Sequence, residues 1–330
     1  SYRWCEMDFE ANKIDGNGVD WPIRYKDIAP WYDYVETFAG ISGSKEGLPQ
    51  LPDGKFLPPM EMNCVELEVK KNIENKFPGR KMIIGRCAHL TKPTKDHLEL
   101  GRGQCQSRDE CERGCSFGAY FSSLSATLPA ARRTNNLTIF TDSIAHSVEY
   151  DKENKRASGV NVVNSKTNEF SRINARIIFL CASTLGTTQI MLNSKSESFP
   201  NGIANSSGVL GHYLMDHIFE SGANGVYPGF QDKYFRGRRP NGIYIPRYHN
   251  IDKKDDRFLR GFGFQGGGKR PGWKRGRAIK GLGVDLKEQL KRPGPWTFSL
   301  GGFGEMLPDK RNKVWLDQKQ KDKWGIPILN

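Results

Sequence analysis

Residues 177–192, with the sequence IIFLCASTLGTTQIML, constrain the fold more than any other part of the chain. The run begins with four apolar residues, which is the pattern of a strand buried on both faces. It then passes through the small residues Ala182 and Ser183, and from Thr184 onward its composition suits a helix. A buried strand that turns sharply into a helix is how α/β proteins bring backbone N–H groups up to a cofactor phosphate. The segment therefore predicts a cofactor site in an α/β fold.

One other segment matches a nucleotide-binding fingerprint but lacks the context that the fingerprint needs. Residues 261–266, GFGFQG, fit the pattern GxGxxG, which requires a strand before it and a helix after it. The next residues, GGKRPG, cannot begin a helix at the right place. We interpret this segment as a glycine-rich strand and loop, so residues 177–192 remain the best local indication of a cofactor.

The composition is that of a loop-rich protein large enough for two domains. The 330 residues include 36 glycines and 18 prolines, and 37% are hydrophobic. No run of 18 apolar residues occurs, so we expect no transmembrane segment in this chain. The net charge is +13, with basic loops near residues 236–239 and 269–280. No recognition helix or zinc finger accompanies them, which excludes nucleic acid as an expected partner and leaves solvated surface, an acidic protein or a membrane surface.

The order of the predicted elements divides the chain near residues 80 and 217. The first part is irregular and helical, the second contains a central helix and a β-meander before the strand–turn–helix, and the third contains strands separated by glycine-rich loops. The predicted strands are residues 81–85, 137–141, 145–150, 157–163, 170–175, 218–226, 242–248, 258–264, 297–305 and 313–316, and the central helix is residues 118–133. A helix, then a β-meander, then a parallel-type strand is an order characteristic of large flavin-binding α/β folds. The prediction is thus an α/β region followed by an α+β region with an antiparallel sheet.

Three of the seven cysteines lie close together, at Cys105, Cys111 and Cys115. Thiolates at this spacing can bind an iron–sulfur cluster or zinc. Three cysteines alone suit a three-iron cluster, whereas a structural zinc site needs a fourth ligand, for which the nearest upstream histidine is His97. A disulfide or buried, unliganded thiols are the alternatives, and the residues alone do not decide between them.

Two further polar groups have an ordinary structural interpretation. His212 and His217 lie on either side of Asp216, but a spacing of five does not place two rings on one helix face. We interpret this segment as a helix end rather than a metal site. Ser183 has no histidine beside it in the sequence, which disfavours a hydrolase nucleophile.

Five segments together resemble the glucose–methanol–choline (GMC) family of flavin oxidoreductases. They are a Trp-Pro segment before a helix, a Gly-Cys-x-Phe-Gly-Ala segment with the central helix, a small-residue turn similar to the alcohol-oxidase signature, a Met-Asp-His segment, and a Glu with Trp-Gly-Ile-Pro: residues 20–32, 114–131, 181–189, 211–217 and 305–327. In the signature turn, Thr187 and Thr188 stand where the family has Ser-Pro. The resemblance covers essentially the whole chain.

The resemblance implies FAD as the cofactor and oxidation of the CH–OH group of an alcohol or sugar by hydride transfer to the flavin. It implies that residues 81–217 form part of a Rossmann-like FAD-binding domain that includes the β-meander. Residues 218–330 would form an antiparallel-sheet substrate-binding domain, to which residues 1–80 contribute. The small-molecule substrate is then an alcohol or a sugar.

The resemblance also assigns roles to individual residues. Ala145 would contribute to the adenine site, and small residues would let the backbone approach the cofactor at the turn formed by Cys181, Ala182, Ser183 and Gly186. The family's GxGxxG turn and its catalytic histidine pair are expected outside these 330 residues, the latter beyond Asn330. No catalytic residue is therefore assigned in this chain, and we expect the chain alone to bind FAD weakly and to turn over no substrate.

Some bacterial sugar dehydrogenases of this family carry a 3Fe-4S cluster on a similar cysteine arrangement and relay electrons from FAD to a cytochrome. The resemblance implies the same role for Cys105, Cys111 and Cys115. The basic loops would then suit docking to an acidic cytochrome or other electron-acceptor subunit. The alternative function is a catalytically silent binding or partner subunit that retains the flavoprotein fold. A different flavoprotein, such as a hydroxylase, is a third hypothesis.

Overall fold

The computed structural model describes residues 2–109, 111–235, 237, 241–257 and 259–330. The chain forms two compact units, and each unit is built from two separate stretches of sequence. The first unit contains Ser1–Leu137 and His217–Met306, and the second contains Thr138–Asp216 and Leu307–Asn330. The predicted domains are three continuous ranges instead, so only the boundary near residue 217 coincides with a change of unit. The roles assigned to those ranges stay predictions.

The α-helices of the described residues are α1 (Glu6–Asp15), α2 (Tyr25–Ala39), α3 (Cys64–Lys76), α4 (Lys95–Glu99), α5 (Leu128–Arg132), α6 (Ser183–Asn193) and α7 (Gly283–Lys291). The strands are β1 (Ile83–Ile84), β2 (Ser143–Asp151), β3 (Arg156–Asn164), β4 (Phe170–Asn174), β5 (His217–Tyr227), β6 (Ile243–Ile245), β7 (Gly263–Lys269), β8 (Trp296–Glu305), β9 (Leu316–Lys321) and β10 (Pro327–Leu329). These strands pair only in antiparallel fashion, so the part of the chain that the structure describes is α+β. None of its helices has the length and apolar character needed to cross a membrane.

The first unit is built on a five-stranded antiparallel sheet in the order β1-β6-β7-β8-β5. Strand β7 carries the glycine-rich sequence GFQGGGK and pairs with β6 on one side and β8 on the other. Gly266 permits this close pairing, because a Cβ at that position would lie 1.8 Å from the carbonyl oxygen of Ser299. The interpretation of this segment as a glycine-rich strand is therefore confirmed. The strand begins at Gly263, whereas the prediction begins at residue 258, which lies outside the described residues. Arg236, Arg238 and Arg239 of the predicted basic loop also lie outside the described residues.

A small hydrophobic core lies between α3 and this sheet. Met82, Ile243 and Ile245 are buried at its centre, and Val69 and Ile73 pack against them. Val69 and Ile73 are four residues apart in α3, which places them on one face of the helix. This apolar face of α3 therefore holds the helix and the sheet together.

The first turn of α3 is also tied to β7 by hydrogen bonds. The side chain of Asn63 accepts a hydrogen bond from the backbone N–H of Glu66 at 3.0 Å, and the Glu66 carboxylate accepts one from the N–H of Asn63 at 2.9 Å. This reciprocal arrangement is a capping box. The second carboxylate oxygen of Glu66 accepts a hydrogen bond from the N–H of Gly268 at 3.0 Å, so this fully buried acid links the start of α3 to β7.

In the second unit, β2, β3 and β4 form the predicted meander. The alternating residues 145–150 and 157–163 lie within β2 and β3, so this prediction is confirmed. Ser194 fixes the end of α6 to the meander, because its hydroxyl accepts a hydrogen bond from Val148 N at 2.7 Å and donates one to the carbonyl of Ile190 at 2.6 Å. Strands β9 and β10 pair as a separate two-stranded sheet.

The strand predicted for residues 177–180 is not formed. These residues belong to none of the sheets in the described structure, and the side chains of Ile177 and Phe179 are 73% and 84% exposed. A continuous apolar run is typical of a strand in a parallel sheet that is covered on both faces, and the described strands form no parallel sheet. The helical part of the prediction is confirmed, because α6 begins at Ser183.

The central helix is shorter than predicted. Residues 118–122 are not helical, Ser123–Thr127 form a single π-helical turn, and α5 follows at Leu128. Pro129 lacks an N–H group and so cannot continue the hydrogen-bond ladder, which interrupts a regular α-helix at this point. The strand predicted for residues 137–141 is also absent.

Candidate functional site

The turn before α6 holds its backbone in an uncommon conformation. Ser183 has a φ of 65°, in the left-handed region that residues other than glycine seldom adopt. The backbone N–H of Ala182 donates a hydrogen bond to the hydroxyl of Thr187 at 3.2 Å, which closes the turn. A Cβ on Gly186 would lie 3.3 Å from the Cβ of Ala182, so a larger residue would crowd the turn. Backbone held in such conformations is concentrated at ligand-binding sites.

All five residues that we predict to contact the cofactor lie in the second unit. Cys181, Ala182 and Ser183 are exposed, whereas Gly186 and Ala145 are partly buried. Ala145 lies in β2, and α6 packs against this strand, so the helix and the strand are neighbours. Because the turn is exposed, the first N–H groups of α6 are accessible, and this end of a helix favours negative charge.

The three clustered cysteines line one small cavity in the first unit, which we call the thiol pocket. Its walls include His89, Cys105, Cys111, Cys115, Arg108 and Phe117. Cys111 is the first residue of a short 3-10 helix, and all seven cysteines of the chain are free thiols. The structure therefore brings the three predicted ligands together, and it does not support the disulfide alternative.

A histidine that the sequence pattern did not single out is also part of the thiol pocket. The Nε2 atom of His89 lies 3.3 Å from the Sγ atom of Cys111, and the His89 side chain is buried. Its ring packs on the ring of Tyr120 with a centroid separation of 4.8 Å. Backbone hydrogen bonds explain this arrangement, because Leu90 bonds through its N–H to Ala119 at 3.1 Å and through its carbonyl to Cys105 at 2.8 Å.

The histidine considered from sequence as a fourth ligand, His97, lies elsewhere. It is buried, and its Nε2 atom bonds to the carbonyl of Thr37 at 3.0 Å while its Nδ1 atom lies 3.1 Å from Thr94 N. His97 is therefore engaged in the helix α4 cap and is not a wall of the thiol pocket. His97 is closer to the cysteines in sequence, but backbone hydrogen bonds bring the more distant His89 to them in the fold.

The positions of the side chains around the thiol pocket test whether it could bind a zinc ion. A structural zinc ion would hold all of its sulfur ligands about 2.3 Å away, so those ligands must converge on one point. Among the residues that the structure describes, no group of three or more His, Cys, Asp or Glu side chains is arranged to hold a single metal ion. The arrangement of these side chains therefore gives no support to a zinc site, and the iron–sulfur cluster stays a prediction.

A buried positive charge lies close to the thiol pocket. Arg102 is buried, and its guanidinium donates hydrogen bonds to the carbonyl oxygens of Gly118 at 3.0 Å and Ala39 at 2.9 Å. Burial lowers the pKa of Arg102, and the nearby Cys115 thiol partly opposes that effect. A fixed cation at this position would offset negative charge on metal-bound thiolates.

The two histidines flanking Asp216 have separate structural roles. His212 donates a hydrogen bond from Nδ1 to the carbonyl of Lys310 at 2.9 Å. His217 begins β5 and packs edge-on against Phe219 and Phe303. Residues 211–216 contain no helix, and His212 forms a single β-bridge with Lys313, so the interpretation of this segment as a helix end is wrong.

Two curated proteins align with nearly the whole chain. The 2-methyl-1,2-propanediol dehydrogenase of Mycolicibacterium austroafricanum is 27% identical over 98% of this chain and 58% of that protein. The fructose dehydrogenase large subunit of Gluconobacter japonicus is 22% identical over 99% of this chain and 58% of that protein. The paromamine 6'-oxidase of Streptomyces fradiae is 25% identical over 67% of this chain and 39% of that protein. The chain thus spans 58% of the length of the first two relatives.

The chain belongs to the GMC oxidoreductase family, whose model matches residues 18–219. The matched region contains the turn before α6, Ala145 and the thiol pocket. The resemblance drawn from the sequence motifs is therefore confirmed at the level of the family, whose members generally bind FAD.

Proposed function

We propose that this chain is the central part of an FAD-dependent dehydrogenase that oxidises the CH–OH group of an alcohol or sugar. The observation that carries the proposal is the exposed turn before α6, which is left-handed at Ser183 and built from small residues in a chain of the GMC family. The names of two relatives, a propanediol dehydrogenase and a fructose dehydrogenase large subunit, support an alcohol or sugar as the substrate.

In this reaction the substrate loses a hydride from carbon and a proton from its hydroxyl group, which leaves a carbonyl product. Bound FAD supplies the acceptor for the hydride. The residues of this chain help to hold that cofactor: the accessible N–H groups at the start of α6 offer hydrogen bonds, and the small side chains of Ala182 and Gly186 leave the backbone open to it. Ala145 in the neighbouring strand β2 would line the adenine side.

We further propose that Cys105, Cys111 and Cys115 bind a three-iron cluster in the thiol pocket. Cysteine thiolates are the ligands of iron–sulfur clusters, and these three would hold the cluster here. The support for this proposal is that the three free thiols line one cavity. A cluster held by these three cysteines would supply one-electron transfer toward an external acceptor.

A basic surface near the thiol pocket suits the docking of that acceptor. We define the basic surface as Lys269 and Lys274 with the exposed aromatic side chains of Tyr234 and Trp273, which line a cavity of about 570 Å³. Asp109 lines both this cavity and the thiol pocket. We propose that an acidic electron-acceptor protein such as a cytochrome docks here, because charge complementarity steers and orients association.

The dehydrogenase proposal is tested on the full-length protein that contains this chain, purified anaerobically. We expect stoichiometric FAD and reduction of a dye that depends on an added alcohol or sugar. The Gly186→Val variant should bind FAD about tenfold more weakly, a loss of about 1.4 kcal/mol, because its side chain crowds Ala182 in the turn.

The Gly225→Val variant is the matched control, because a Cβ at Gly225 meets no atom within 4 Å. It should retain wild-type FAD content. A Gly186→Val protein with unchanged FAD affinity would contradict the role of the turn. Full-length protein without flavin and without activity would support the alternative, a silent binding or partner subunit.

A further inference from the structure

We propose that His89 donates a hydrogen bond from Nε2–H to the Cys111 thiolate and thereby raises the reduction potential of the cluster in the thiol pocket. This inference rests on the three-iron cluster proposed above and assigns a specific role to a residue outside the cysteine motif. The observation behind it is the 3.3 Å separation between His89 Nε2 and Cys111 Sγ. His89 is a positioning residue here, since it acts on the cluster through a ligand.

The direction of the hydrogen bond follows from the chemistry of the ligand. A cysteine that binds iron does so as a thiolate, which has no proton to donate. The contact with Cys111 can then form only if the proton is on His89 Nε2. A donor to a ligand sulfur stabilises the reduced cluster more than the oxidised one, because the reduced form carries more negative charge. Hydrogen bonds to sulfur are among the features that set the potentials of iron–sulfur proteins.

The surroundings of His89 keep this donor in place. Its side chain is 1% exposed, and its ring packs on Tyr120 with an angle of 36° between the rings. The backbone of Ala88 accepts a hydrogen bond from Phe121 at 3.0 Å, so both chain neighbours of His89 are bonded to the segment that carries Tyr120. A buried and immobilised donor has a larger electrostatic effect than one in water, because the local dielectric constant is low.

The experiment compares two variants of His89 in the full-length holoenzyme, prepared anaerobically. The measurements are iron content, the EPR spectrum of the cluster and its midpoint potential in a redox titration. His89→Leu removes the donor, and we expect a normal iron content with a midpoint potential shifted to lower values. His89→Gln keeps an amide N–H near the position of Nε2, and we expect its potential to lie closer to that of the wild type.

His97→Gln is the matched control, because His97 is equally buried but contacts Thr37 and Thr94 instead of the thiols. Its midpoint potential should equal that of the wild type. An unchanged potential in His89→Leu with full iron content would overturn the inference. Iron loss in both His89 variants, but not in His97→Gln, would make His89 a ligand and would also overturn it.

Measurements on the wild-type protein distinguish failure of this inference from failure of the cluster proposal and of the dehydrogenase proposal. Wild-type holoenzyme with FAD and activity but without iron would refute the cluster, and with it the role of His89, while leaving the dehydrogenase proposal intact. Wild-type protein with a cluster but no flavin would contradict the dehydrogenase proposal and still allow the potentials of the His89 variants to be compared.

Discussion

Arg260 joins α1 and β8 of the first unit through one guanidinium group. It contacts the carboxylate of Asp15 at 2.6 Å, the side chain of Asn12 at 2.9 Å and the carboxylate of Glu305 at 2.6 Å. The side chains of Arg260 and Asp15 are 15% and 7% exposed, whereas that of Glu305 is 54% exposed. The Arg260–Asp15 pair, which holds the end of α1, is therefore shielded from water, whereas the Arg260–Glu305 pair at the end of β8 is more exposed.

This pair predicts a specific dependence of stability on pH. The hydrogen bond from Arg260 lowers the pKa of Asp15 below its ordinary value. A carboxyl group whose pKa is lower in the folded state stabilises the fold above its unfolded pKa of about 3.9 and loses this effect as the pH falls through the folded pKa. In Arg260→Gln we expect the free energy of unfolding at pH 7 to fall by about 1–3 kcal/mol. Between pH 5 and pH 3, the free energy of unfolding of Arg260→Gln should fall by less than that of the wild type.

Urea unfolding at a series of pH values measures both effects. Arg311→Gln is the control, because Arg311 pairs with Asp309 on the surface and its side chain is 90% exposed. Water screens that pair, so its removal should change the pH dependence less. Equal slopes below pH 5 in the wild type and Arg260→Gln would contradict the assignment to Asp15.

At the scale of secondary structure, the glycines of the five-stranded sheet differ sharply in how much space a Cβ atom would have. A Cβ on Gly266 would lie 1.8 Å from the carbonyl oxygen of Ser299 on the neighbouring strand β8, whereas a Cβ on Gly225 in β5 would meet no atom within 4 Å. We expect Gly266→Ala to lower the free energy of unfolding by more than about 3 kcal/mol, because the backbones of β7 and β8 must separate. Gly225→Ala should change it by less than about 0.5 kcal/mol.

Thermal or urea unfolding of the two alanine variants checks this prediction, and far-UV circular dichroism shows whether each is folded. If Gly266→Ala does not fold, the prediction is met in its strongest form. A Gly266→Ala protein as stable as Gly225→Ala would show that β7 and β8 are not paired as closely as the structure indicates.

The sequence predicted the β-meander well because its paired strands are adjacent in the chain. The meander was predictable because residues 145–150 and 157–163 alternate and are joined by a short charged turn, so each strand indicates the other. Residues 177–180 carry no such information. An apolar run shows only that a segment prefers burial, and the structure leaves Ile177 and Phe179 exposed because no described strand lies beside them.

The candidate site was predictable to the same extent. The cysteine motif identified Cys105, Cys111 and Cys115 because their spacing is local, and the structure places all three around one cavity. The histidine of that cavity was missed, since His89 reaches it through backbone pairing between distant segments. The sequence pattern pointed to His97, whose ring is instead used to cap α4. Long-range pairing of this kind has no local signal.

At the scale of the whole molecule, the net charge of +13 gives the protein a positive field that attracts acidic partners. The proposed docking site adds local charge to this general attraction, through Lys269 and Lys274 beside exposed aromatic side chains. A general field and a local site make different predictions for charge reversal, because only a local site distinguishes one exposed lysine from another.

We expect the double variant Lys269→Glu and Lys274→Glu to reduce an acidic c-type cytochrome roughly tenfold more slowly at low salt, because steering toward the basic surface is lost. Reduction of a small neutral dye by the same holoenzyme should be unchanged. Lys26→Glu, at an exposed position of α2, is the control and should have little effect. The difference between the double variant and the wild type should shrink as salt is added, since the Debye length falls from about 30 Å at 0.01 M to about 8 Å at 0.15 M. Equal slowing in the Lys26→Glu variant would assign the attraction to the overall field and refute a docking site at Lys269 and Lys274.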